Sequence, residues 1–317
     1  MFFSAVICNG HVWFADEYVY ACQIMNLDVN VYRCKNEKQS DIQKYFSQDY
    51  GVYSYADIER NTYVQGLAQM FRSVDEVTGK KQNKSILYET MVLPFLKSKG
   101  KLETSILDFG CGKGAYIGRL AETYNAIGVE FYNNNGSAIN VSLGNRQIDA
   151  LIEYLKERPV FDVVVCDSVM NSVDSKEAEN AVVACLNLFA KEDMFISGRT
   201  LSFAQGVQTQ KRSRALKNYL YFYDADGFTA NYRKGQWYFQ KFHTEEQMTE
   251  LLNRNGFEVV NMDFKKSNSS FRIHCRKVRS LSKEEYTKAI DFEFNLPLPH
   301  GRSYGRNEDI KQVLNLK

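Results

Sequence analysis

Proline is scarce in this 317-residue chain, with only four, and tryptophan scarcer, with two. Few residues therefore break regular structure, which argues against extended disorder. No apolar run approaches the roughly 18 residues that a membrane helix needs. The opening Met1-Phe2-Phe3-Ser4-Ala5-Val6-Ile7-Cys8 has no basic leader and soon meets His11, Asp16 and Glu17, so no secretory leader is expected. The seven cysteines, at 8, 22, 34, 111, 166, 185 and 275, form no Cys-x-x-Cys pair. That spacing gives no footing for a zinc ribbon or iron–sulfur loop, and the odd number none for a disulfide framework. No metal is expected, and a reducing cytoplasm suits the thiols.

Apolar residues make up 44% and charged residues 25%, the profile of a soluble globular protein of one large or two modest domains. The formal charge of +2 hides an asymmetry. Residues 1–99 carry 11 basic and 11 acidic side chains, residues 100–198 carry 8 and 14, and residues 199–317 carry 21 and 13. The acidic middle suits a cationic cofactor and the basic last third an anionic partner. Ordinary surface variation is the competing explanation.

From residue 105 strands and helices alternate. Ser105–Phe109, Ala126–Glu130, Phe161–Cys166 and Met194–Ser197 read as strands, with Phe161–Cys166 apolar enough to be covered on both faces. Helical spacing spans Ala115–Tyr124, Ile148–Arg158, Glu177–Ala190 and Thr244–Asn255, the last stopped by Gly256. Phe257–Phe264 and Phe271–Val278 are two strands joined by a polar turn. Alternation of this kind predicts an α/β fold with a doubly wound, Rossmann-like sheet, closed by an antiparallel C-terminal pair.

Leu107-Asp108-Phe109-Gly110-Cys111-Gly112-Lys113-Gly114 joins the first of these strands to its helix. A ligand there lies at the carboxyl end of the strands, where such sheets bind cofactors, and glycine lets the backbone approach it. Glu130 ends the next strand, 20 residues beyond Gly110, placed to accept ribose hydroxyl protons. The loop nearly satisfies a dinucleotide fingerprint, but Asp108 would repel a diphosphate; it suits an ammonium group instead. The string Leu107–Gly114 closely resembles motif I of the class I S-adenosylmethionine-dependent methyltransferases. That resemblance covers residues 105–198 and, with the final helix and strand pair, extends to Val278. It implies S-adenosylmethionine as cofactor, with Asp108, Gly110, Cys111, Gly112 and Gly114 at the methionine end, Glu130 on the ribose, and Asp167 beside them. Asn140 and Asn145 are candidates for the adenine contact.

Asp167-Ser168-Val169-Met170-Asn171-Ser172-Val173 follows the Phe161–Cys166 strand, where methyltransferases place the transferred methyl group. No proline stands here, unlike the box usual in amino-methylating DNA enzymes, and no Pro-Cys nucleophile occurs anywhere. Ser168-Val169-Met170-Asn171 instead resembles the Ser-Val-Leu-Asn box of methyltransferases associated with bacterial DNA modification clusters. Asp167, Ser168 and Asn171 are the catalytic candidates, because Asp167 and Asn171 can accept a substrate amine's protons and aim its lone pair. The competing reading makes Asn171 and Ser172 caps of the next helix.

Residues 199–243 are long for a crossover connection. They interleave Arg199, Lys211, Arg212, Arg214, Lys217, Arg233, Lys234 and Lys241 with many aromatics, Trp237 and Tyr238 among them. Cations neutralise phosphates while aromatic faces stack on bases, so Arg199, Lys211, Arg212, Arg214, Trp237 and Tyr238 are the substrate-binding candidates. A small-molecule lid, a subunit interface or a private aromatic core are the alternatives. His243 is read as a surface or helix-capping residue rather than a base.

Residues 1–78 predict a small N-terminal α/β module. Its element order resembles the ParB-like domain fused to methyltransferases in some phage and mobile-element proteins, without that domain's arginine-rich phosphate box. The domain expectation is therefore 1–78 for this accessory module, 85–280 for the methyltransferase domain with its 199–243 insertion, and 281–317 for a C-terminal extension. DNA, or else RNA, is the expected partner and substrate. A small metabolite is the alternative acceptor, and a DNA-binding protein on an inactive methyltransferase fold the alternative to an enzyme.

Overall fold

A computed structural model describes residues 5–8, 11–14, 84–100, 103–135, 138–173, 176–202, 220–223, 228–233, 236–265, 270–296, 298 and 303–316. Near the N-terminus, β1 (Ala5–Cys8) and β2 (His11–Phe14) pair antiparallel with Cys8 opposite His11. The remainder of the expected 1–78 module lies outside the described residues.

The central sheet is built on β3 (Ser105–Phe109), β4 (Asn125–Val129), β7 (Phe161–Cys166) and β8 (Ala190–Thr200), parallel and ordered β4-β3-β7-β8. Beyond β8, β13 (Ser270–Lys277) pairs antiparallel with it, and β12 (Phe257–Asp263) pairs antiparallel with β13. The Rossmann-like α/β fold and its antiparallel C-terminal pair are thus present. Between Glu130 and β7 the described residues hold no third parallel strand. The Asn-rich stretch closes instead as a short antiparallel pair, β5 (Asn134–Asn135) with β6 (Ala138–Ile139).

Strand periodicity of two divides the sheet's side chains between two layers. Leu107 and Phe109 of β3, with Val164 and Cys166 of β7, face the larger core. It is completed by α3 (Val141–Glu157), α4 (Lys176–Phe189) and α5 (Glu245–Arg254). Ile106 of β3, with Val163 and Val165 of β7, faces the opposite layer. There Tyr88, Val92 and Leu96 come from a helical segment ending in α1 (Leu93–Lys99), and Leu120 from α2 (Ala115–Leu120). Both faces are covered, which is why β7 reads as an almost unbroken apolar run.

Helix α3 starts seven residues earlier than its apolar spacing indicates, because Asn140 caps it by accepting the Leu143 amide at 3.1 Å. Helix α2 ends at Leu120, short of the expected Tyr124. Helix α5 starts on a reciprocal cap in which Thr244 Oγ1 accepts the Gln247 amide and the Gln247 side chain accepts that of Thr244.

The C-terminal residues pack into the same core. In α6 (Lys283–Glu293) the Tyr286 hydroxyl donates to Asn187 of α4 at 2.5 Å. Asn187 is fully buried, and its Nδ2 donates to the carbonyls of Asn255 and Arg279. One amide side chain thereby joins α4, the end of α5 and the approach to α6. Farther on, before α7 (Asn307–Val313), the Tyr304 hydroxyl donates to the Phe131 carbonyl at 2.7 Å.

Candidate active site

The loop after β3 is shaped by three glycines with positive φ, Gly110 at 89°, Gly112 at 60° and Gly114 at 74°. At Gly110 the need is also steric: a Cβ there would lie 2.1 Å from Cγ2 of Val169. The absence of that atom lets the 167–173 segment close onto the loop. The Gly110 and Cys111 amides both donate to the Val129 carbonyl, at 2.8 and 3.1 Å, which anchors the loop to the end of β4.

Glu130, 4% exposed, is the hinge of this arrangement. Its carboxylate accepts the Gly112 amide at 2.9 Å and the Tyr132 amide at 2.8 Å. Gln147 of α3 supports it from behind. Its Oε1 accepts the Glu130 amide and the Asn133 side chain, and its Nε2 donates to the Cys111 sulfur. Burial, then the charges of Asp108 and Glu130, push the Cys111 thiol well up, so it is a neutral wall and not a nucleophile. Gln147 was invisible in the sequence, since nothing marks which polar residue of a helix will turn toward a loop.

Beyond β7 stands a second polar cluster. Asp167 Oδ1 accepts the Ser197 hydroxyl at 2.5 Å and the Ser168 hydroxyl at 3.2 Å. Ser168 has φ of 61°, unusual for a residue with a Cβ, and its amide donates to both the carbonyl and the hydroxyl of Ser197. Strain of this kind persists only where neighbours over-determine it. Ser197 was also missed; its signal is a polar residue ending an otherwise apolar strand. Asn171 is 9% exposed, and its side-chain oxygen is buried without a hydrogen-bond partner. That oxygen therefore makes no bond to an amide of α4.

The inserted segment adds β9 (Leu220–Tyr223), β10 (Phe228–Arg233) and β11 (Gln236–His243), antiparallel in the order β9-β10-β11. Strand β11 pairs parallel with β8 at Arg199 and Thr200. At Arg199 the other edge of β8 already carries β13, so β11 occupies the edge that β7 vacates after Cys166. The Lys241 amide accordingly donates to the Asn171 carbonyl at 3.3 Å. The insertion's last strand therefore ends against the second cluster. Arg199 is half-buried at this junction; Lys211, Arg212 and Arg214 lie outside the described residues, and for Trp237 and Tyr238 only the strand is described.

One expectation for this segment is corrected: His243 is neither exposed nor a cap. It is buried with Lys241 against Glu179 of α4, with His243 Nε2 at 2.6 Å and Lys241 Nζ at 4.0 Å from the same carboxylate oxygen. Thr244, one residue later, does the capping. Two residues apart in β11, the two polar side chains project on the same face of the strand, toward Glu179.

The pocket's chemistry separates the two cofactor classes. Asp108 and Glu130, both 4% exposed, are acceptor-only groups at the carboxyl ends of β3 and β4. They match an ammonium and a ribose diol, which donate, and oppose a diphosphate. A profile of the family described as Methyltransferase domain matches residues 69–262. The chain belongs to that family. It is a methyltransferase enzyme with S-adenosylmethionine as its cofactor, and the residues around the glycine loop fit that group.

Solved structures similar to this methyltransferase include a magnesium protoporphyrin IX methyltransferase from Synechocystis with bound S-adenosylhomocysteine. It is 17% identical over 69% of this chain and 97% of its own, with TM-score 0.43. An S-adenosylmethionine-dependent methyltransferase from Clostridium acetobutylicum is 12% identical over 63% and 94%, with TM-score 0.42. The 1,6-didemethyltoxoflavin-N1-methyltransferase of Burkholderia thailandensis is 12% identical over 68% and 88%, with TM-score 0.40. A search of curated proteins finds no match. Among the described residues no helix is long and apolar enough to cross a membrane, and no group of three or more His, Cys, Asp or Glu could hold a metal ion.

Proposed function

We propose that this methyltransferase modifies an amine of a nucleic-acid base, with DNA as the substrate and the cytoplasm as its location. The observation that carries this reading is that β11, the last strand of the basic, aromatic insertion, donates its Lys241 amide to the Asn171 carbonyl. An enzyme that methylates a base must draw it out of the stack, so phosphate-binding cations and stacking rings are needed beside the reacting atoms. The likeness of Ser168–Asn171 to the box of DNA-modification methyltransferases supports the same substrate, as does the likeness of the first 78 residues to ParB-like modules of phage and mobile elements.

S-adenosylmethionine supplies an electrophilic methyl group on a sulfonium. Asp108 holds the ammonium at the methionine end, the Gly110–Gly114 backbone lines it, and Glu130 takes the ribose hydroxyls. Asp167 is held through Oδ1 by the Ser168 and Ser197 hydroxyls. Asn171 offers its buried side-chain oxygen to an amine proton, so the nitrogen lone pair points along the line of displacement. Positioning supplies most of the rate, and losing such an orienting contact costs on the order of 100-fold. Asn171→Ala is therefore expected to lower kcat by about that factor while changing cofactor Kd by less than roughly threefold. A parallel loss of cofactor affinity would show that Asn171 serves the donor instead.

The substrate class is tested by salt. Affinity for duplex DNA should fall steeply as salt rises, because bound phosphates release counterions. Neutralising Lys211, Arg212 and Arg214 together should flatten that dependence by up to about three ions. Trp237→Ala should weaken binding without changing the slope, since stacking releases no counterions. A protein that binds neither DNA nor RNA at low salt would move the assignment to a metabolite acceptor.

A further inference from the structure

Tyr88 has entered no part of the site described above. It opens a π-helical turn, Tyr88–Val92, that leads into α1, and turns of this kind recur at functional sites. Its ring stacks on Tyr116 of α2 with centroids 4.0 Å apart and planes 6° from parallel. Around that stack the polar groups are paired. The Tyr88 amide donates to Ser85 Oγ, the Ser85 amide to the Tyr116 hydroxyl, and that hydroxyl to Glu89. The Tyr88 hydroxyl is the exception: the residue is 1% exposed, and its oxygen is buried against Asp108 without a well-formed hydrogen bond. A buried phenol so poorly paired is costly.

Its surroundings say what would pair with it. Tyr88 shares its apolar cluster with Ile106, Val163 and Val165, on the sheet face covered by α1. Asp108, two residues beyond Ile106, projects on that same face and stands beside Val165 in the strand register. Burial pushes the phenol's pKa up, and the charge of Asp108, the hydroxyl's approach to that carboxylate and the charge of Asp167 push it further. The hydroxyl therefore lies within the field of the carboxylates from both polar clusters, where a cation would be welcome.

We propose that Tyr88 is a donor-binding residue whose hydroxyl contacts the cationic methionine end of S-adenosylmethionine next to Asp108. This rests on the donor pocket assigned above. A phenol oxygen adds an acceptor there without adding charge, and the stack on Tyr116 holds it in one orientation. Two groups on the donor carry the cationic character, the ammonium and the sulfonium with its polarised methyl.

Tyr88→Phe keeps the ring and the stack and removes only the oxygen. The full chain and this variant would be titrated calorimetrically with S-adenosylmethionine and with S-adenosylhomocysteine, and the unliganded melting temperature of each recorded. About tenfold weaker binding, equivalent to about 1.4 kcal/mol, is expected. An equal loss for both ligands places the hydroxyl on the ammonium, which they share. A loss confined to S-adenosylmethionine places it on the sulfonium. The unliganded melting temperature should change little, because the ring and its stack on Tyr116 are kept. Unchanged affinity for both ligands would overturn the assignment of Tyr88. If the unmodified protein bound neither ligand, the donor pocket itself, and this assignment with it, would be overturned.

Discussion

Replacing Glu179 with alanine is expected to destabilise the protein by about 3–5 kcal/mol, the cost of breaking a buried ion pair from one side. The carboxylate accepts or faces two buried basic groups, His243 at 2.6 Å and Lys241 at 4.0 Å, and no solvent reaches the Lys241 ammonium to replace it. Burial pushes the Glu179 carboxyl up, but the His243 hydrogen bond and the charges of His243, Lys241 and Arg254 outweigh it and leave the group below its ordinary value. His243 lies below its ordinary value too, because burial and the Lys241 charge outweigh Glu179. The signs agree. As pH falls past about 6.5 the unfolded chain binds a proton at His243 that the folded protein resists, and below about 4.5 it does so at Glu179. Stability should therefore decline from neutral pH downward, in urea titrations at pH 7, 6 and 5. Glu179→Ala should be far less stable at pH 7; equal midpoints for variant and wild type would contradict the buried cluster. Because the Lys241 amide holds the Asn171 carbonyl, the variant should also lose turnover before it unfolds.

Gly112→Val is expected to lower affinity for S-adenosylmethionine at least 100-fold in a protein that still folds. Gly112 has φ of 60°, which costs a residue with a Cβ about 1–2 kcal/mol, and more for a β-branched one. Relaxing that strain would pull the Gly112 amide off Glu130, 2.9 Å away, and detach the loop from the carboxylate assigned to the ribose. The loop sits at the carboxyl ends of the strands, and none of Gly110–Gly114 belongs to either apolar core, so the fold should survive. Circular dichroism checks the fold and calorimetry the affinity; full binding by a folded variant would contradict the role given to this loop.

Most of the sheet was legible in the sequence because its strands are buried on both faces. Phe161–Cys166 and Ser105–Phe109 could hardly have been anything else, and the Gly110–Gly114 loop names its own position at the strand ends. Strand β8 runs past its predicted end at Ser197 to Thr200 because β11 and β13 both pair with its last residues. No local pattern encodes neighbours that arrive from 43 and 71 residues away, as Phe242 and Ser270 do opposite Arg199. The same limit hid Gln147, Ser197 and Tyr88, whose importance comes from what they face across the fold. His243 shows the opposite error: a lone histidine just ahead of a helix reads as a surface or capping residue, whereas Glu179, 64 residues earlier, keeps it inside together with Lys241.

The most direct test of the account is calorimetric titration of the full chain with S-adenosylhomocysteine, with NAD as the control. A pocket whose buried Asp108 and Glu130 accept from an ammonium and a ribose should bind one equivalent of S-adenosylhomocysteine and no NAD. Binding of NAD in preference, or of neither ligand, would contradict it.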